Sequence, residues 1–458
     1  MRSLHECGAR VSASTLAVMA SISAPLTATE RRLAARLGQQ RQDLIDLTGT
    51  LVAFDTTAGV TSEVSGEEAA LQRLIADRLR SAGLQVELFE PAPGDIPESP
   101  MLGANHDLGG RPQLIARRAG TGGGRSLLFN GHIDVVDAGS RSLWSSDPFR
   151  ARLDGTRLHG RGTCDMKGGV AAMMLATEAL CELDVPLRGD VLVNTVTDEE
   201  STGAGTLACV ARGLGADGCV IPEPTSGRVW LGFRGVLLPT IELDGRAGHT
   251  GLARGDGRDG PGVNAIEAML PVLAALRQLR EKWWSRRSSD EVPGWIVPTQ
   301  ITAGQWIVSY PETCTVDVHV TYSAAQADPD GWGTRVQREI EDCVQAAVNA
   351  DRWLASHPPR VQWSSNVPAS AVPVDHPIVR TALDASAALG PPSGIAEQTT
   401  WIDAATFTRA GTPAIGFGPG DIRAAHTVDE WVEVDELVLA AQRLAIYAMR
   451  FCGVHGEP

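Results

Sequence analysis

Apolar residues change their spacing along this chain, and each change marks an element. From 29 to about 53, Leu33, Leu37, Leu44, Leu47 and Leu51 recur at helical intervals among charged residues, which predicts one surface-packed helix. A second helix fits 66–83, with Gly83 as its C-terminal stop. Short apolar runs then predict strands at 86–89 and 113–117, separated by a Pro- and Gly-rich loop over 90–112. Leu127-Leu128-Phe129 reads as a buried strand that ends at Gly131. A helix at 170–183, a strand at 190–197, a helix at 204–212 and a strand at 218–221 follow. Near the end come a strand at 413–417 and a closing helix at 434–449. Strands and helices that alternate in this way predict an α/β sheet.

The middle of the chain has a different order. Strand 237–243, helix 264–283, strands 296–301 and 315–322, helix 333–350 and strand 360–363 give the β-α-β-β-α-β sequence of a ferredoxin-like α+β unit. It reads as an insertion in the larger α/β unit, whose elements resume at 377–390. The predicted organisation is therefore 1–28 as a disordered or overcalled N-terminus, 29–235 and 367–458 as two parts of one catalytic domain, and 236–366 as the insert. Arg2 and Arg10 before a short, serine-diluted apolar stretch faintly resemble a signal peptide, and Met19 offers an alternative start.

Composition narrows the partners. With 458 residues, 43% of them hydrophobic and 21% charged, the chain is expected to fold as more than one globular domain. A net charge of −15 argues against nucleic acid and anionic lipid, and no apolar run approaches membrane-spanning length. The 8 cysteines are scattered without paired spacing, which points to a reducing, cytoplasmic setting. The glycine run at 120–124 lacks the Gly-Lys-Ser/Thr ending of a phosphate loop and reads as a turn between strands.

The chemistry gathers at strand ends. His132 and Asp134, two residues apart past Gly131, are able to face the same way, as a metal ligand and the carboxylate that orients it. His132, Asp165, Glu200, Glu223 and His426 each sit on, or in a loop after, the C-terminal end of a predicted strand, the edge where open α/β sheets bind ligands. Individually each has an ordinary explanation: a helix cap for Asp165, a solvated acidic pair for Glu199 and Glu200, a loop histidine for His426, turn chemistry for Glu223. Together, two imidazoles and three carboxylates suit borderline divalent metals such as zinc, cobalt or manganese. Five ligands exceed one tetrahedral zinc and match two ions that share a carboxylate. Such a pair activates water and polarises a carbonyl, and Glu199, beside Glu200, is placed to move the proton. The reaction class is amide or peptide hydrolysis.

Gly131-His-Ile-Asp134, Gly160-Arg-Gly-Thr-Cys-Asp-Met-Lys-Gly-Gly169, Asp198-Glu-Glu200 and Ala425-His426 resemble the signature segments of the M20 metallopeptidases, from about residue 40 to the end. That family includes acetylornithine deacetylase, succinyl-diaminopimelate desuccinylase, aminoacylases and glutamate carboxypeptidases. The resemblance implies two divalent ions, zinc foremost, bridged by Asp165. His132 and Glu223 would complete one site, and Glu200 and His426 the other. It further implies Glu199 as general base, Asp134 as orienter of His132, and a cis Asp165–Met166 bond. Glu223, rather than an aspartate, resembles the deacylase and carboxypeptidase branch. The insert resembles the family's lid and dimerisation domain, which implies a homodimer. Gly248-His249-Thr-Gly251 within it resembles the segment whose histidine reaches a partner's active site to stabilise an oxyanion.

The expected activity is deacylation of a small N-acyl amine or N-acyl amino acid. N-formyl amine deformylation, as in the family's formylaminopyrimidine enzymes, and carboxypeptidase or dipeptidase action are the alternatives. An inactive metal-binding homologue and a single structural metal site are the readings outside this chemistry. One departure bears on substrate. Carboxylate-gripping relatives carry an arginine ten residues after the proline of a lid turn; after Pro311 that position is Thr321, with Arg234 or Arg254 as other sources of charge.

Overall fold

The computed structural model describes residues 25–58, 66–92, 94–102, 107–252, 260–286, 293–390, 394–396 and 400–456. The first 24 residues, with the expectations attached to them, lie outside the described residues, as does Arg254.

The larger sheet has eight strands in the order Gln85–Phe89, Gln113–Arg118, Val191–Val196, Leu127–His132, Gly218–Ile221, Ala414–Gly416, Val229–Trp230, Ile395–Ala396. Its four central strands, Val191–Val196 to Ala414–Gly416, run parallel. All six residues of Leu127–His132 are buried, as a parallel strand covered on both faces requires. Helix Lys167–Glu182 and the C-terminal helix Val434–Cys452 pack on each other within this core.

Two helices replace the single one expected at 29–53: Ala28–Gln39 and Arg41–Val52, broken at Gln40. The leucine period hides the break because Leu33 and Leu37 before it and Leu44, Leu47 and Leu51 after it all enter one core. The first of these helices opens on a reciprocal cap, in which Thr27 Oγ1 accepts the Glu30 N–H at 3.2 Å and Glu30 Oε2 accepts the Thr27 N–H at 2.8 Å. Helix Lys167–Glu182 starts three residues earlier than its apolar run implies. Gly168 and Gly169, which read as loop, are helical, and they are glycine because the chain passes too close for a side chain. A Cβ on Gly169 would lie 2.0 Å from the Pro222 carbonyl oxygen.

The smaller sheet is antiparallel, in the order Trp295–Ala303, Thr313–Tyr322, Gly235–Asp244, Arg360–Val367. Helices Ala265–Arg286 and Thr334–Ala350 pack on it over a separate core that includes Leu237, Ile241, Met269, Val318 and Ile340. Alternating burial along Gly235–Asp244 and Thr313–Tyr322 shows one face turned to those helices. A third sheet, Trp431–Glu433, Arg157–His159 and Arg152–Asp154, has strands too short and too polar to leave a periodic signal. The seven described cysteines are free, and among the described residues no helix is long and apolar enough to cross a membrane.

Candidate metal centre

The central parallel strands deliver their chemistry at one edge. Leu127–His132 ends in His132, Val191–Val196 runs into Asp198-Glu199-Glu200, and Gly218–Ile221 leads to Glu223. Ala414–Gly416 continues through the short turn Ile422–Ala424 to His426, held in the left-handed region at φ 59°. Asp165 arrives by another route, after Arg157–His159 of the third sheet, and its bond to Met166 is cis. The buried Glu430 carboxylate fixes this loop, since one oxygen accepts the N–H of Cys164 at 2.8 Å and of Asp165 at 3.0 Å. Its other oxygen accepts from Arg161 at 2.5 Å.

Asp165 sits between the two imidazoles with one oxygen toward each. His132 Nε2 is 3.1 Å from Asp165 Oδ1 and 3.9 Å from Glu223 Oε1. His426 Nε2 is 3.4 Å from Asp165 Oδ2 and 3.2 Å from Glu200 Oε1. His132, Asp165 and Glu200 offer ligand atoms that all lie within 4.8 Å of one another. Burial opposes the charge on Asp165, but the two imidazoles outweigh it and hold its carboxyl well below the usual carboxylate range. Burial pushes the Glu199, Glu200 and Glu223 carboxyls up, and carboxylates repelling one another add to the rise. Hydrogen bonds to Asp165 and Glu200 push His426 up to about 10. Negative charge packed this closely, with both histidines aimed into it by Nε2, is a donor set that fits divalent cations.

Asp134 acts differently from expectation. The His132 Nδ1 lies 2.8 Å from the main-chain carbonyl oxygen of Asp134, whereas the nearest carboxylate oxygen is 3.7 Å away. The carboxylate instead accepts the backbone N–H of Glu199 at 3.3 Å and of Glu200 at 3.0 Å. It thereby ties the strand carrying His132 to the turn carrying the two glutamates.

A second layer, invisible to motif reading, holds that turn. Asp198 adopts φ 74°, and its Oδ1 accepts from Arg111 at 2.7 Å. Arg111 reaches Glu68 with two further hydrogen bonds, at 2.5 and 3.0 Å. All three side chains are buried. Arg111 falls at the end of a stretch read as loop and its partners are 43 and 87 residues away, so no local signal marks it. Glu430, four residues beyond His426, and Arg161, inside the Gly-rich segment, are near enough to motif residues to have been suspected.

Other residues singled out in the sequence lie apart from this cluster. His249 is exposed, and its Nδ1 accepts the Gly251 N–H at 3.0 Å. Thr321 is half-buried on the smaller sheet, paired with Val236 and Trp295. Arg234 is buried and donates to the Pro293 carbonyl at 2.8 Å. Trp283 is buried with its Nε1 on Glu339 at 2.7 Å, and Trp284 packs edge-on against Trp295 at 6.1 Å.

Residues 128–450 match the model of peptidase family M20/M25/M40. The chain belongs to this family. It is accordingly a hydrolase of amide bonds. An N-formyl-4-amino-5-aminomethyl-2-methylpyrimidine deformylase from Bacillus subtilis is 28% identical over 445 residues, covering 92% of this chain and 97% of its own. A succinyl-diaminopimelate desuccinylase from Methylorubrum extorquens is 30% identical over 403 residues, covering 82% of this chain and 91% of its own. This M20 chain also shares its fold with the solved structure of a tripeptidase from Staphylococcus aureus. The TM-score is 0.67 at 18% identity, covering 90% of this chain and 98% of that one.

Proposed function

We propose that this M20 hydrolase removes the formyl group from a small N-formyl amine of the aminopyrimidine type, using two divalent cations, zinc foremost. The observation that carries the substrate assignment is Thr321 on the smaller sheet, at the position where the family resemblance would put a carboxylate-gripping arginine. A hydroxyl lacks the planar fork that binds a carboxylate by two parallel hydrogen bonds. The deformylase from Bacillus subtilis, matched over 97% of its length, is named for an N-formyl aminomethylpyrimidine, consistent with a substrate that needs no such grip.

In this reading His132, Asp165, Glu200, Glu223 and His426 would hold the cations, with Asp165 placed between the two histidines. Bound there, the cations would polarise the amide carbonyl and acidify a water. Glu199 would accept a proton from the attacking water and return it to the leaving amine. Burial raises its carboxyl above the usual carboxylate range, the direction that makes it a better proton acceptor. Asp134, through the backbone of Glu199 and Glu200, keeps base and ligand in register. The smaller sheet unit serves as lid and dimer surface, with its edge strand Trp295–Ala303 open for pairing and His249 reaching the partner's site.

A second reading, deacylation of an N-acyl amino acid, is favoured by the likeness to the desuccinylase from Methylorubrum extorquens. The test compares kcat/KM for N-formyl-4-amino-5-aminomethyl-2-methylpyrimidine, N-succinyl-diaminopimelate and N-acetylornithine, beside a matched N-acyl amino acid and its analogue without the carboxylate. Preference for the formylpyrimidine, with little effect of deleting the carboxylate, is expected. A loss of several orders of magnitude on deleting it would replace deformylation by the amino-acid reading.

A further inference from the structure

Arg443, on the C-terminal helix, is only 7% exposed, yet it makes no hydrogen bond or ion pair among the described residues, and its buried Nε lacks any partner. Guanidinium groups are strongly solvated donors, and burying the Nε without an acceptor is unfavourable. An acceptor from outside the chain would complete this group.

The space beside it is a cavity of about 370 Å³, lined on one side by Glu436, Leu439, Ala440 and Arg443. These four occupy one face of the helix, at the i, i+3, i+4, i+7 positions. The opposite wall includes Arg228 and Phe417. Glu436 is already engaged, accepting the Gly420 N–H at 2.9 Å, and Arg228 uses one nitrogen on the Ile395 carbonyl at 2.8 Å. Two guanidinium groups against one committed carboxylate give the cavity a net positive lining. Phe417, Leu439 and Ala440 make the rest apolar.

The cavity lies behind the metal centre, not in it. Gly418 in its wall exchanges hydrogen bonds with Thr225, at 3.0 and 3.1 Å, and Thr225 in turn donates its N–H to the Glu223 carbonyl at 2.7 Å. The same wall continues through Gly420 to the turn that presents His426. An occupant here would therefore bear on two of the metal-cluster residues from behind.

We propose that this cavity is a second binding site, distinct from the catalytic centre, for a small organic carboxylate with an apolar body. The carboxylate pairs with Arg443, and the apolar body rests on Phe417 and Leu439. Occupancy couples to the loops that carry Glu223 and His426. Burial that lowers the Arg443 pKa is offset when an anion arrives.

The experiment measures unfolding midpoints and calorimetric binding for the metal-loaded protein with acetate, butyrate, benzoate and inorganic phosphate, using chloride as ionic-strength control. Arg443→Met, which keeps the apolar stem and removes the fork, is measured in parallel. Butyrate or benzoate is expected to raise the wild-type midpoint and to bind about tenfold or more weakly to Arg443→Met, as loss of a charge-assisted hydrogen bond predicts. Without ligand, Arg443→Met is expected to be at least as stable as wild type, because an unpaired buried charge is gone. Equal shifts in both proteins would place the binding at the metals and overturn the proposal. So would preference for phosphate over every carboxylate, absence of binding by the whole panel, or a ligand-free variant markedly less stable than wild type.

Discussion

Asp134 holds Glu200 by its backbone: the carboxylate Oδ2 accepts the Glu200 N–H at 3.0 Å while the Asp134 main-chain carbonyl faces His132 Nδ1 at 2.8 Å. One residue thus sets the spacing between two strand ends by means of two different groups. Replacing Asp134 by Asn keeps the carbonyl and the shape but substitutes an NH₂ for one of the two oxygens that receive N–H groups. The variant is expected to lose about 10–100-fold in kcat/KM, the usual range for residues that orient a metal site. Metal content per chain and activity at saturating zinc check it. An unchanged kcat/KM would mean that the carbonyl contact alone suffices.

Where the sequence was readable, local spacing carried the signal. The five candidate ligands lie at strand ends or beside a glycine-rich turn, so each is flagged by its neighbours. The strand order of the smaller sheet likewise follows from the β-α-β-β-α-β sequence of its elements. What escaped was long-range or backbone-mediated. Arg111 joins Glu68 and Asp198 across a buried contact that has no sequence period. The contact from the Asp134 carbonyl to His132 involves a main-chain atom, which every residue has, so side-chain identity could not announce it. The break at Gln40 was concealed because burial repeats across it.

Glu199 and Asp165 should fail in different ways. Glu199→Gln keeps the side chain's shape and the N–H to Asp134 but cannot accept a proton. Turnover is expected to fall by about 10²–10⁴-fold or more with metal retained. Asp165→Ala removes the carboxylate that faces both histidines, at 3.1 and 3.4 Å, and is expected to lose metal itself. Metal analysis of gel-filtered variants separates the two. Wild-type rates in metal-loaded Glu199→Gln would remove Glu199 from the role of base.

Asp403 gives a pH signature in chelator-treated protein. It is 1% exposed; Oδ2 accepts from Thr206 at 2.5 Å, Oδ1 has no partner, and burial pushes the carboxyl up to about 7 from 3.8. A carboxyl raised in the folded state contributes its full stability below the unfolded value of 3.8, and that contribution is lost as pH climbs through about 7. Asp403→Asn is neutral throughout. Its stability relative to wild type should therefore rise across that window and level off above it. Urea midpoints at pH 4, 5, 6, 7 and 8 test this, and a constant difference over the series would contradict it.

His249 allows the sharpest test of assembly. Its ring accepts a hydrogen bond within its own loop, from the Gly251 N–H, and it takes no part in the described cluster around Asp165. If it serves catalysis, it does so either by closure of the smaller unit within one subunit or by delivery to a second subunit. Subunits bearing Glu199→Gln and subunits bearing His249→Ala are each expected to be nearly inactive alone. In a mixed dimer with delivery across the two-fold, one site receives both lesions and the other neither. Random mixing makes half the dimers mixed, so activity should recover to about a quarter of the wild-type value per total site. Closure within one subunit predicts no recovery, because every site then retains the lesion of its own chain. Size-exclusion and differential tagging establish that mixed dimers form, and an inactive population of confirmed mixed dimers would assign His249 to its own subunit or to no catalytic role.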